Sequence, residues 1–90
     1  MNTPGQVSVE IYSKPDCSLC DEAKAVILRV RARMDFDLKE LDIEKDPALL
    51  ARFKTDIPLV FIDGERAFKY YVNEDDLVEK LRAAKEKRQS

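Results

Sequence analysis

Apolar positions along this chain come in short blocks, and the spacing within each block predicts an element. The run Val7-Ser8-Val9-Glu10-Ile11-Tyr12 reads as a first strand. From about Ser18 to Met34, apolar residues recur at helical spacing (Ala23, Ile27, Val30, Met34) and predict a long amphipathic helix. Its acidic residues come early, and Arg29, Arg31 and Arg33 come late, an order that complements the helix dipole. Phe36 to Ile43 reads as a second strand. Its alternation slips between Leu38 and Leu41, which predicts a bulge or an edge position.

Asp46-Pro47 has the form of an N-cap followed by proline at the first helical position, opening a short helix through Leu49, Leu50 and Phe53. Leu59 to Ile62 is a compact apolar run and reads as a buried strand. Asp63-Gly64 is a type I′ hairpin signal leading into a fourth strand, about Arg66 to Val72, in which Phe68, Tyr70 and Val72 alternate with Lys69 and Tyr71. Asn73 then caps a last helix with Glu74, Asp75 and Asp76 in its first turn. Leu77, Leu81 and Ala84 form its apolar stripe, and Lys85, Lys87 and Arg88 close it as a solvated end.

The predicted order is β-α-β-α-β-β-α, an α/β chain. The first β-α-β unit requires a parallel, right-handed crossover, and the closing hairpin must be antiparallel. A mixed four-stranded sheet with helices on both faces satisfies both demands.

Length and charge narrow the function classes. Ninety residues make one small domain, 1–90, with a core over about 7–84 and residues 1–6 as a flexible lead-in. The net charge of −2 and the absence of a basic stripe with interleaved aromatics argue against nucleic acid as an obligate partner. The longest apolar run, Ile57 to Ile62, is far too short to span a bilayer. The first residues carry neither a basic region nor an apolar one, so no secretory signal is expected and a cytoplasmic location is. The chain has no histidine, which removes His-based acid/base chemistry, His metal ligands and a Cys–His nucleophile pair together. Two thiols are too few for a structural zinc site, so no metal is expected.

The candidate chemistry sits in Lys14-Pro15-Asp16-Cys17-Ser18-Leu19-Cys20. A Cys-x-x-Cys where a strand hands over to a helix is the pattern of a thiol–disulfide redox site. Backbone N–H groups in a first helical turn lack intrahelical partners, and the peptide dipoles put partial positive charge there. A thiolate at that point gains up to about 2 kcal/mol over the thiol. The second cysteine, three residues on, lies on the same face and can attack a mixed disulfide formed on the first. Negative charge from Asp16, Asp21 and Glu22 opposes the thiolate, while Lys14 favours it. A structural bridge, inert buried thiols, or an iron–sulfur cluster shared with external thiols are the alternatives. As a staple, a bridge closing so short a loop removes only about 2 kcal/mol of unfolded-chain entropy.

This layout resembles the thioredoxin superfamily, and within it the glutaredoxins and glutaredoxin-like proteins. The resemblance rests on Ile11 to Cys20 at the dithiol and on Ile57-Pro58-Leu59-Val60-Phe61-Ile62-Asp63-Gly64 later, and it spans about residues 7 to 84. It implies a thioredoxin-like sheet order of 2-1-3-4 flanked by three helices, and a cis Pro58 facing the dithiol. It further implies Cys17 as the nucleophile, Cys20 as the resolving cysteine, Lys14 as a contact for a glutathione carboxylate, and Ile57 as the residue whose backbone pairs with bound peptide or glutathione. Glutaredoxins usually carry a Gly-Gly pair and then an acidic residue after the fourth strand. Here Ala67 to Asp76 contains no glycine, and the acidic helix start comes later than that spacing predicts. Ser18-Leu19 stands where typical glutaredoxins have Pro-Tyr.

The expected function is therefore thiol–disulfide oxidoreduction by a Cys-x-x-Cys dithiol, with a weakly catalytic binding or redox-sensing module as the alternative. The expected partner is a disulfide-containing protein or a low-molecular-weight thiol. No tightly bound cofactor is expected; glutathione is a candidate co-substrate, and a monomer is the default state. Tyr12, Phe61, Phe68, Tyr70 and Tyr71 are expected mostly in core or hairpin packing, with a peptide or partner groove as the alternative for Tyr70 and Tyr71.

Overall fold

The structure is a computed structural model that describes residues 6–89; the predicted lead-in, apart from Gln6, lies outside the described residues. The chain runs β1 (Ser8–Ser13), α1 (Ser18–Arg31), β2 (Asp37–Asp42), a short 3-10 turn (Ile43–Lys45), α2 (Pro47–Phe53), β3 (Leu59–Ile62), β4 (Glu65–Lys69) and α3 (Glu74–Gln89). The sheet order is β2-β1-β3-β4. β1 and β2 are parallel, whereas β3 is antiparallel to both β1 and β4. This is the order implied by the family resemblance.

The two faces of the sheet separate two clusters. Val9 and Ile11 of β1 and Val60 and Ile62 of β3 pack against Ala23, Ile27 and Val30 of α1 and Leu77 and Leu81 of α3. On the other side, Ile43, Phe53, Ile57 and Leu59 pack together with Cys20, and Tyr12, Leu49, Phe61 and Cys17 close around them. Alternation along β1 and β3 is what feeds both clusters from the same strands. The dithiol thus sits at the end of α1, where it reaches the smaller cluster under α2.

Several local predictions hold for physical reasons visible in the geometry. Asp46 accepts from the Ala48 amide at 2.9 Å as N-cap of α2, with Pro47 opening that helix. Asn73 accepts from the Asp76 amide at 3.0 Å at the start of α3. Asp63 and Gly64 both take positive φ, 49° and 84°, as a type I′ turn requires. β2 is an edge strand with a continuous register against β1, so the slipped alternation reflects its edge position and not a bulge.

Four expectations are corrected. The fourth strand ends at Lys69, not Val72, because Tyr70 adopts φ 70° and turns the chain out of the sheet. A register shift between Val60 and Phe61 leaves Ala67 as an extra residue in β4, which breaks the simple inward alternation of Phe68, Tyr70 and Val72. Helix α1 stops at Arg31, and its late arginines do more than offset the dipole. Arg29 and Arg33 hold Glu74 at 3.1 and 2.8 Å and so tie α1 to the start of α3. Lys85 donates to the Asp35 carbonyl, so that part of the last helix is tethered and not a solvated end.

Among the described residues, no helix is long and apolar enough to cross a membrane, and no group of three or more His, Cys, Asp or Glu side chains is placed to hold a metal ion.

Candidate active site: the Cys17–Cys20 dithiol

The turn after β1 sets the position of both sulfurs. Lys14, Pro15 and Asp16 are exposed, and Asp16 takes a left-handed φ of 57° that aims the chain into α1. Asp tolerates this conformation better than most residues. Cys17 is the N-cap of α1, with extended backbone, and stands just ahead of a helix that starts at Ser18, as the sequence pattern predicts. Its carbonyl accepts from the Asp21 amide at 3.1 Å, and its Sγ accepts from the Cys20 amide at 3.2 Å. The sulfur therefore fills the role that a Ser or Asp oxygen has in an ordinary cap. One unpaired amide of the helix start is aimed at the atom that carries charge in a thiolate.

Cys20 is fully buried, while Cys17 is partly exposed. Both are free thiols. Burial pushes the Cys20 thiol up to about 11, and its hydrogen bond with Cys17 adds to the rise; a backbone hydrogen bond with Lys14 and the charge of Lys24 act against it. Lys24 in turn pairs with Glu40 at 2.7 Å and with Asp21 at 3.8 Å. The Glu40 hydrogen bond raises the Lys24 pKa. The two thiols are chemically unequal: one is accessible and has an amide donor, and the other stays protonated within an apolar cluster.

The second half of the site comes from the segment before β3. The Ile57–Pro58 peptide bond is cis. Ile57 and Pro58 are buried, and Ile57 packs in the same cluster as both cysteines. Tyr12 stacks on Phe53 with ring centroids 4.9 Å apart and meets Phe61 edge-on at 5.5 Å, so three aromatics wall this side of the dithiol. Burial, followed by the charge of Glu10, raises the Tyr12 pKa. Of the five residues singled out from sequence, Cys17, Cys20 and Ile57 share one apolar cluster, and Pro58 is buried next to Ile57 across the cis bond. Lys14 stays on the exposed turn and makes no ion pair among the described residues.

The sequence reading missed how the region after β4 supports the site. The Tyr70 amide donates to the Pro58 carbonyl at 2.7 Å. The Tyr70 hydroxyl donates to the Thr55 carbonyl at 2.7 Å. Beside it, Lys69 pairs with Asp56 at 3.1 Å and lies 5.1 Å from the Tyr70 ring centre. The Asp56 hydrogen bond raises the Lys69 pKa. The Tyr71 amide donates to the Lys69 carbonyl at 2.8 Å, which closes a γ-turn on Tyr70 at its positive φ. The one signal available in the sequence was the lack of glycine where the chain must turn sharply.

Comparison with known proteins agrees with this architecture. The family model for the Glutaredoxin-like domain (DUF836) matches residues 8–82. A relative from Dictyostelium discoideum, the glutaredoxin-like protein YDR286C homolog, is 30% identical over 83 residues, covering 86% of this chain and 77% of the relative. Among solved structures, protein Ne2328 from Nitrosomonas europaea superposes with a TM-score of 0.72 at 19% identity, covering 90% of this chain and 98% of that one. The structural-genomics target protein XcR50 from X. campestris gives 0.69 at 24% identity, over 83% of this chain and 96% of that one. A mutant thioredoxin from Halobacterium salinarum gives 0.66 at 19% identity, over 89% and 75%. At these identities the structures establish a shared fold, and the match of the family model over most of the chain establishes membership: this protein belongs to the glutaredoxin-like domain family of the thioredoxin superfamily.

Proposed function

We propose that this protein is a thiol–disulfide oxidoreductase in which Cys17 attacks and Cys20 resolves. The observation that carries the reading is the inequality of the two sulfurs. Cys17 Sγ is partly exposed and capped by the Cys20 amide at 3.2 Å, and Cys20 is buried beside it with its thiol pushed up to about 11.

The Cys17 thiolate attacks one sulfur of a substrate disulfide. A Cys17–substrate S–S bond forms, the substrate S–S bond breaks, and one substrate thiolate leaves. Cys20 then loses its proton to water or to the departing thiolate and attacks the Cys17 sulfur. The Cys17–Cys20 disulfide forms, and the second substrate thiol leaves. Two electrons pass from the dithiol to the substrate, and a thiol donor returns them. Ile57 and Pro58 supply the backbone against which substrate lies, and Lys14 supplies a cation on the open side. The partner is a protein disulfide or a low-molecular-weight thiol in a reducing, cytoplasmic setting, with the protein acting as a monomer and with no resident cofactor.

Trapping tests this directly. Cys17→Ser abolishes disulfide turnover, and Cys20→Ser accumulates a mixed disulfide with substrate, seen as a mass increase that dithiothreitol removes. Full turnover by Cys17→Ser overturns the reading. The alternative, a binding or sensing module with slow turnover, is favoured by the acidic neighbours Asp16, Asp21 and Glu22 and by the protonated Cys20. It predicts that the wild type itself accumulates the mixed disulfide.

A further inference from the structure

Beside the dithiol lies a groove of about 210 Å³ between α1 and the segment after β4, lined by Glu22, Ala23, Val26, Tyr70, Tyr71 and Val72. Ala23 is buried and Val26 and Val72 are half-buried, so its floor is apolar. Tyr71 is 70% exposed, an unusual state for so large an aromatic side chain. Glu22 is exposed and is the one charged residue in the lining. It forms no ion pair among the described residues, whereas its neighbour Asp21 is held by Lys24. Glu22 and Ala23 follow Cys20 directly on α1, so the groove starts within one turn of the resolving cysteine.

The wall of the groove is built with care. Tyr70 is held at φ 70° by hydrogen bonds to Pro58 and Thr55, and that turn sends Tyr71 outward. A bulky residue at positive φ is uncommon and persists only where its surroundings over-determine it. These contacts fix the groove relative to the segment that packs on Cys20.

We propose that this groove selects disulfide substrates in which a lysine or arginine flanks the reactive cysteine. The aliphatic stem of such a residue covers Ala23, Val26 and Val72, its charge meets Glu22, and the Tyr71 ring supplies a face for the cation. An anionic group in the same place meets the Glu22 carboxylate with no cation in the lining to offset it. This inference rests on the oxidoreductase reading and names its substrate class.

The test uses three capped tripeptide disulfides that differ only in the residue after cysteine: lysine, alanine or glutamate. With the reduced wild-type protein, kcat/KM is about twofold to fivefold higher for the lysine peptide than for the glutamate peptide, the range of one exposed ion pair, with alanine between. Glu22→Gln removes the difference and Glu22→Lys reverses it, whereas Glu86→Gln on the exposed face of α3 leaves it intact. The preference shrinks as salt rises toward 0.5 M. Tyr71→Ala raises KM for the lysine peptide without slowing alkylation of Cys17 by iodoacetamide. Equal turnover of all three peptides overturns the groove proposal alone, as does a preference that survives Glu22→Gln. Absence of turnover with every peptide overturns the oxidoreductase reading and this inference with it.

Discussion

The backbone amide of Tyr70 donates to the carbonyl of Pro58 at 2.7 Å, joining the segment after β4 to the segment that packs on the dithiol. The Tyr70 hydroxyl makes a second connection, to Thr55, and Lys69–Asp56 makes a third. Removing the hydroxyl leaves the amide bond in place. Tyr70→Phe is expected to lower stability by about 1 kcal/mol, the ordinary net value of one hydrogen bond. Urea unfolding measures this; a midpoint unchanged from wild type means the Thr55 contact contributes nothing in solution.

The second chemical step depends on Cys20 losing a proton. Its thiol is pushed up to about 11, chiefly by burial, a cause that remains after Cys17 has reacted. Resolution therefore quickens with pH from 7 to 9, approaching tenfold per unit. An aromatic disulfide that releases a coloured thiolate in each step separates the two phases in a stopped-flow record. A second phase independent of pH shows that Cys20 is already ionised in the mixed disulfide.

Linkage gives the stability consequence of the same group. The folded state holds the Cys20 proton more tightly than the unfolded chain does, since its thiol is raised to about 11 from an ordinary value of 9.0. That contribution is fully present below the unfolded value and is lost as pH rises through the window from about 9 to 11. The slope is at most about 1.4 kcal/mol per pH unit. Denaturation of the reduced protein across this range shows the loss, and Cys20→Ala, which has no thiol to titrate, serves as the control. Identical pH profiles for the two remove Cys20 as the source.

Gly64 closes the β3–β4 hairpin at φ 84°, with open space where a Cβ would stand. The cost of a side chain there is conformational and not steric contact. Gly64→Ala is expected to destabilise by about 1–2 kcal/mol, the left-handed penalty for an L-residue. Disulfide turnover is expected to be unchanged, because the turn is at the far end of β3 from Pro58. Thermal unfolding and turnover measured on the same preparation check both halves.

The N-cap of α2 reaches the site through packing. Asp46 holds the Ala48 and Leu49 amides at 2.9 and 3.4 Å, and Phe53 at the other end of that helix stacks on Tyr12. Asp46→Ala is expected to cost about 1 kcal/mol. Asp46→Asn, which keeps a capping oxygen, is expected to recover most of it, and a failure to recover points to charge in place of capping.

The sequence by itself determined the order of elements, the caps at Asp46 and Asn73, the Asp63-Gly64 turn and the pairing of two cysteines at a helix start. These features are local: period, capping oxygen and turn glycine each act within a few residues, so the chain displays them directly. The Cys-x-x-Cys pattern indicated thiol chemistry, and the resemblance supplied the sheet order. Only the tertiary structure made the two thiols unequal, because burial of Cys20 depends on Ile43, Phe53, Ile57 and Leu59, which arrive from three other segments. It also ended β4 at Lys69. The period-two pattern of Phe68, Tyr70 and Val72 favours a longer strand; the Tyr70 amide still bonds Pro58 in the β3–β4 register, but the positive φ at Tyr70 and its hydroxyl bond to Thr55, a contact made only in the folded chain, turn the backbone away there. The groove at Glu22 and Tyr71 exists for the same reason: residues nearly fifty positions apart meet only once the sheet is assembled.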